Sequence, residues 1–195
     1  MEKEAMIAYF DSIASQWDTL APHDDSKIRC LVTLGITPGA RVLDIGCGTG
    51  VLTPFLLETK PAYLLGIDLS SGMIQRAKEK YGNLPVEFLA GDVMELSQPN
   101  SFDCAILYDA FPQFENRGSL IRQINYLLAP KGRLMICSGF NRHVVNAPYK
   151  GGSAVSIPLP AAKTLASTLD KYFEVDTIID SPSLYAVSGM KRQAV

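Results

Sequence analysis

Apolar, strand-like runs alternate with segments of helical period along this 195-residue chain, and its last two strands are separated only by Asp180-Ser181-Pro182-Ser183. The alternation predicts an α/β fold, a three-layer sandwich around a mostly parallel seven-stranded sheet covered on both faces. The final connection is too short for a crossover and predicts an antiparallel C-terminal hairpin at one edge. A further observation locates the working edge: Gly46, Gly48 and Gly50 alternate directly after the first strand. Glycine accepts positive φ and lacks a Cβ, so it suits a backbone that turns sharply and lets a ligand come close. Strand, glycine turn and helix in that order mark where parallel sheets hold nucleotide-like ligands.

In order along the chain, Met6, Tyr9, Phe10, Ile13 and Trp17 share one helical face. Ile28, Leu31 and Val32 share another, in a segment that Gly35 ends, and Ala21-Pro22-His23-Asp24-Asp25 joins the two. Residues 1–36 are expected to form an N-terminal helical lid on a core of residues 37–195, all within one domain. Val42–Ile45 is the first strand, and Val51, Leu52, Phe55 and Leu56 mark the helix after the glycines. Pro54 lies in its first turn, where a missing N–H does least harm. Tyr63–Ile67 is the second strand, ending on Asp68, and Ser70 caps a helix whose inner face is Met73, Ile74, Ala77 and Tyr81. Val86–Ala90 ends on Gly91-Asp92, and Phe102–Leu107 ends on Tyr108-Asp109.

Leu120, Ile121, Ile124, Leu127 and Leu128 line a helix that Ala129-Pro130-Lys131-Gly132 stops, and Arg133–Cys137 is the fifth strand. Residues 140–160 are irregular, with Arg142, His143 and Lys150 followed by a Gly151-Gly152 hinge. Pro160 opens a helix carrying Ala162, Leu165, Ala166 and Leu169 before the strands Glu174–Ile179 and Leu184–Gly189.

Hydrophobic residues make up 47% of the chain, and the net charge is −2 with no block of one sign. That balance argues against a dedicated binder of nucleic acid or of an anionic membrane. Cys30, Cys47, Cys104 and Cys137 form no C-x-x-C pair and no metal site, and read as reduced thiols of a cytoplasmic protein. Met1-Glu2-Lys3-Glu4 lacks the apolar run of a signal peptide, and no stretch reaches the ~20 apolar residues of a membrane helix.

A dinucleotide fingerprint reads G-x-G-x-x-G, and here Val51 stands where that pattern wants glycine. The run Asp44-Ile45-Gly46-Cys47-Gly48-Thr49-Gly50 instead resembles the first motif of the class I S-adenosylmethionine-dependent methyltransferases of small-molecule type. The resemblance spans nearly the whole chain and implies a Rossmann-like sheet, S-adenosylmethionine as cofactor and S-adenosylhomocysteine as product. Tyr9-Phe10-Asp11-Ser12-Ile13-Ala14 resembles the first helix of the same family, so that Tyr9, Phe10 and Trp17 would line a lid.

The carboxyl ends of the strands carry the candidate cofactor residues: Asp44, Gly46, Cys47, Gly48 and Gly50, then Asp68 and Leu69, then Asp92 and Val93, then Tyr108. Asp68 lies at the distance where an acid reaches a ribose, and the resemblance implies that role. By the same resemblance Met73 packs on the adenine, while Asp92 takes its exocyclic amine and the Val93 N–H contacts the ring. Asp44 is a candidate for the cofactor's ammonium, or for holding the glycine loop from behind.

The segment Tyr108-Asp109-Ala110-Phe111-Pro112 resembles the family's fourth-strand exit, which faces the transferring methyl. Asp109 and His143 are therefore the candidate catalytic residues, and Tyr9, Trp17, Asp109, Phe111 and Arg142 the candidate acceptor contacts. Arg142, on a flap hinged at Gly151-Gly152, would present positive charge to an anionic or metal-bound acceptor. Methyl transfer is an in-line displacement that needs alignment and exclusion of water more than a fixed triad. A small-molecule acceptor is expected, without nucleic acid, membrane or metal, on a monomer or homodimer. The competing readings are a non-catalytic S-adenosylmethionine-binding module and an NAD(P)-dependent dehydrogenase.

Overall fold

In the computed structural model, which describes residues 3–147 and 156–193, strand pairing follows the expected plan. β1 (Arg41–Ile45), β2 (Tyr63–Asp68), β3 (Glu87–Ala90), β4 (Phe102–Tyr108), β5 (Leu128–Ser138), β6 (Phe173–Asp180) and β7 (Tyr185–Lys191) form one sheet in the order β3-β2-β1-β4-β5-β7-β6. β1 to β5 pair in parallel, and β7 runs antiparallel between β5 and β6. The strand order reverses between β1 and β4, and a crevice opens at the carboxyl ends of strands at such a point.

The strands are apolar on both faces because both faces are covered. Val42 packs with Ile28, Leu31 and Leu56, while its neighbour Leu43 packs on the opposite side with Leu120, Ile124 and Leu165. Thus α3 (Asp25–Gly35) and α4 (Thr53–Glu58) form one layer, and α6 (Arg117–Leu127) and α8 (Ala162–Leu169) the other. α5 (Ser71–Tyr81) seats Ile74 and Ala77 against Cys47 and Phe88. Ser70 caps it, its side chain accepting from Met73 N at 3.0 Å.

Two expectations change. The lid does not extend to residue 36, because α3 buries Ile28, Leu31 and Val32 against the sheet. Only α1 (Lys3–Ile13), α2 (Trp17–Leu20) and the link to α3 cross the edge of the sheet, and α1 buries no residue of its own. The fifth strand begins at Leu128 rather than Arg133. Leu128 pairs with Phe102 before the register shifts and Arg133 pairs with Cys104, with Lys131 at φ 62° between them. The backbone bulges there instead of leaving the sheet.

Candidate active site

The glycine turn follows from steric necessity. Gly46 has φ +70°, and a Cβ built on it would lie 2.5 Å from the Ala110 Cβ. Gly48, at φ +53°, faces Trp17, whose Nε1 would stand 3.6 Å from an added Cβ. Asp68, at the end of β2, ties this turn to α5. Its Oδ2 accepts from Gly48 N and its Oδ1 from Ser70 N, both at 2.9 Å. Burial raises the carboxyl of Asp68, and those two N–H groups pull it back. Behind the turn, Asp44 is 2% exposed and does not line the cavity. Burial first, and then the charge of Asp68, push its carboxyl up to about 8. At neutral pH it is mostly protonated and supports the loop without a charge.

The N-terminal segment spans the edge as a strap. Lys3 Nζ donates to Asp92 Oδ2 at 2.6 Å, beyond the end of β3. Asp11 Oδ1 accepts from Ser70 Oγ at 2.5 Å and Gly72 N at 2.8 Å, beyond β2. Asp18 takes Thr49 Oγ1 and Lys80 Nζ beside the glycine turn. The chain then reaches Asp24, whose carboxylate caps α3 by accepting from Ser26 N and Lys27 N. Lys27 Nζ donates to the carbonyls of Gly139 and Ser183, past the ends of β5 and β6. The strap therefore runs from the β3 end to the β5 end.

Beneath it lies a cavity of about 400 Å³. On the β1–β3 side its lining includes Gly46, Cys47, Gly48, Asp68, Leu69, Met73, Asp92 and Val93. On the β4–β5 side it includes Tyr108, Asp109, Phe114, Phe140 and Val144, and the strap contributes Phe10, Trp17 and His23 to the lining, Trp17 against Gly48. Asp109 adopts φ 54°, a left-handed conformation that is uncommon outside glycine and recurs at functional sites. Burial pushes its carboxyl up to about 6, against the pull of nearby Ser138 and Tyr108 hydroxyls. Asp109 Oδ1 and Tyr108 OH are buried without a hydrogen-bond partner. Such an orphaned pair beside a cavity is a place where a ligand's polar group is accommodated.

Several sequence candidates do not reach the cavity. Phe111 is 1% exposed and packs in the core, with the Arg117 guanidinium 4.7 Å over its ring. Tyr9 lies edge-on to Phe10 outside the lining. α7 (Arg142–Val145) points Arg142 and His143 into a separate outer groove, where Arg142 Nε donates to Asp180 Oδ2 at 3.2 Å. Gly50, at φ +83°, turns the loop against Tyr81 and Thr53 and is not lining. The Lys150 and Gly151-Gly152 hinge falls outside the described residues. Conversely, His23 lines the cavity although the sequence marks it only as part of a link; the neighbouring helix cap, Asp24, is the one signal that could have singled out this stretch.

The edge fits a nucleoside with an amino-acid tail. It offers a bare glycine backbone, the buried acid Asp68 on the adjacent strand and a second acid, Asp92, beyond it, in a largely apolar enclosure. Comparison with known proteins agrees with that geometry. Residues 42–132 match the family model described as a methyltransferase domain. The malonyl-[acyl-carrier protein] O-methyltransferase of Priestia megaterium is 32% identical over 140 residues, covering 69% of this chain and 51% of that one. The ubiquinone/menaquinone biosynthesis C-methyltransferase of Hahella chejuensis is 26% identical over 99% of this chain and 84% of its own. The N-methyltransferase NodS of Bradyrhizobium japonicum, solved with S-adenosyl-L-homocysteine, shares the fold at a TM-score of 0.73 and 16% identity, covering 96% of this chain and 99% of that one.

The chain belongs to the class I S-adenosylmethionine-dependent methyltransferases, whose cofactor is S-adenosylmethionine. It spans about half the length of the first curated relatives it matches, 51%, 41% and 56% of theirs. Among the described residues, no helix is long and apolar enough to cross a membrane.

Proposed function

We propose that this chain transfers a methyl group from S-adenosylmethionine to a small-molecule acceptor, acting in the cytoplasm as a monomer or homodimer. The observation that carries the reading is one cavity with two unlike sides, an acid-and-glycine side at β1–β3 and an aromatic side at β4–β5 around Asp109. The strap roofs the cavity, which favours a small acceptor over a folded macromolecule. The free thiols Cys47, Cys104 and Cys137 are all buried, in keeping with a reducing compartment.

When bound, S-adenosylmethionine supplies a methyl group on a positively charged sulfur, open to in-line displacement. In this reading Asp68 keeps lone pairs for the ribose hydroxyls while its backbone bonds hold it still. The glycine turn receives the amino-acid tail, Asp92 and the Val93 N–H read the adenine edge, and Met73 packs on its face. Tyr108 and Asp109 face the acceptor. With a carboxyl near 6, Asp109 is mostly ionised at neutral pH and able to orient an acceptor donor or accept its proton. Apolar walls and the strap exclude water and hold the partners aligned.

The test is calorimetry with S-adenosylhomocysteine and with NAD, followed by a metabolite panel scored for S-adenosylhomocysteine release. Heat with the nucleoside and turnover of a panel member are expected. No heat with the nucleoside overturns the reading. Binding without turnover of any member leaves the non-catalytic module.

A further inference from the structure

The charge around the acceptor side of the cavity is one-sided. Asp109 lines it, and among the described residues no lysine or arginine does. The surrounding cations are engaged elsewhere: Lys3 with Asp92, Lys80 with Asp18, and Arg142 with Asp180. Lys27 is held by the carbonyls of Gly139 and Ser183, and Arg117 by those of Ile157 and Pro158. Among the described residues, an anion entering here would meet the Asp109 carboxylate in an apolar enclosure with no lysine or arginine on the lining to offset it, which is the costly arrangement. An N–H or O–H would instead meet the Asp109 carboxylate, with the Tyr108 hydroxyl beside it on the same wall. The rings of Phe114 and Phe140 add faces that attract apolar frames and cations.

We propose that the acceptor is an apolar, aromatic molecule without negative charge whose reacting end is an N–H or O–H donor directed at Asp109. This rests on the methyltransferase reading and narrows it. It reverses the expectation that Arg142 presents positive charge to an anionic acceptor, since that guanidinium lies in the outer groove against Asp180. An amine satisfies both the rings and the carboxylate, a phenol chiefly the carboxylate, and an acid neither.

The chain's one tryptophan, Trp17, lines the cavity and gives a readout independent of turnover. The protein is first titrated with S-adenosylhomocysteine by calorimetry. The saturated complex is then titrated with phenethylamine, 4-ethylphenol and 3-phenylpropionate, following Trp17 fluorescence. The amine is expected to bind at least about tenfold more tightly than the acid, with the phenol between them. Asp109→Asn, which keeps shape and removes charge, should shrink the amine-to-acid ratio to about threefold or less. The proposal is overturned if the acid binds as tightly as the amine, if none of the three binds, or if Asp109→Asn leaves the ratio unchanged. Failure of the first titration strikes the methyltransferase reading itself, whereas a wrong order after a successful one strikes only the acceptor class.

Discussion

Replacing Asp44 by asparagine should change how stability depends on pH. Asp44 is 2% exposed, and its carboxyl is pushed up to about 8 by burial and by the charge of Asp68. An aspartate in the unfolded chain titrates near ~3.9. Between those values the folded protein holds a proton that the unfolded chain has released. Stability therefore falls as pH rises through the window from about 4 to about 8 and levels off above it. A shift of about four units corresponds to about 5 kcal/mol in total, a large share of the ~5–15 kcal/mol of an ordinary domain. The portion lost between pH 6 and pH 8 is about 2–3 kcal/mol. In Asp44→Asn the side chain stays neutral throughout, so urea melts at the two pH values should show the wild type losing about 2–3 kcal/mol more than the variant. The other charged groups are common to both proteins, so their contributions cancel in the comparison. At pH 6 the variant already avoids the part lost between pH 4 and pH 6, a further ~2–3 kcal/mol, because there the wild-type side chain is protonated only in the folded state. Parallel pH slopes for the two proteins would refute the assignment of a buried, protonated Asp44.

Other perturbations probe the turn, the cofactor side, the acceptor side and the strap. Gly46→Ala sets a Cβ against Ala110 at positive φ and should cost about 2–4 kcal/mol in urea melts; adding Ala110→Gly should restore the steric part but not the backbone part. Asp68→Ala releases Gly48 N and Ser70 N as well as its own carboxylate, and should weaken S-adenosylhomocysteine about 100-fold by calorimetry while the fold is kept. His23→Gln alters a strap residue of the lining that holds no part of the glycine turn or Asp68, and should leave S-adenosylhomocysteine affinity within about twofold while raising the acceptor KM at least about fivefold. Backbone amides of residues 3–23 should exchange with deuterium well before those of β4 and slow down when S-adenosylhomocysteine is added.

The sheet was legible because its signals are local. A run such as Tyr63–Ile67 bounded by turns, and a four-residue link between β6 and β7, each admit one structural answer. The same locality exposed Gly46, Gly48, Asp68, Asp92, Tyr108 and Asp109, since each falls at a strand end and the strand ends share one edge. What stayed hidden depends on side-chain direction or on distant partners. Phe111 follows Asp109 by two residues, yet a 3₁₀ turn over Phe111–Gln113 buries its ring beneath Arg117. His143 is the natural base by residue type, but α7 leaves it in the outer groove. The strap's bonds join residues as far apart as Lys3 and Asp92, and no period in the sequence reports such a pair.

Those distant bonds also bear on how the cavity would admit its ligands. α1 buries no residue fully; it is held by half-buried apolar side chains such as Met6, Phe10 and Ile13 and by a few ion pairs and hydrogen bonds. Exposed pairs of this kind contribute about 0–1 kcal/mol each, far less than the apolar layers that hold β1, β4 and β5. The strap can therefore open while the sheet keeps the glycine turn, Asp68 and Asp109 in place. Were the strap to act as the lid expected from the sequence, its opening would part these contacts and leave the sheet unchanged. Asp92 shows the coupling most directly. Its Oδ1 caps Met94 N and its Oδ2 holds Lys3, so a base reading that carboxylate must share it with the strap or displace the strap from it. Ligand binding and strap position are thereby linked through one side chain.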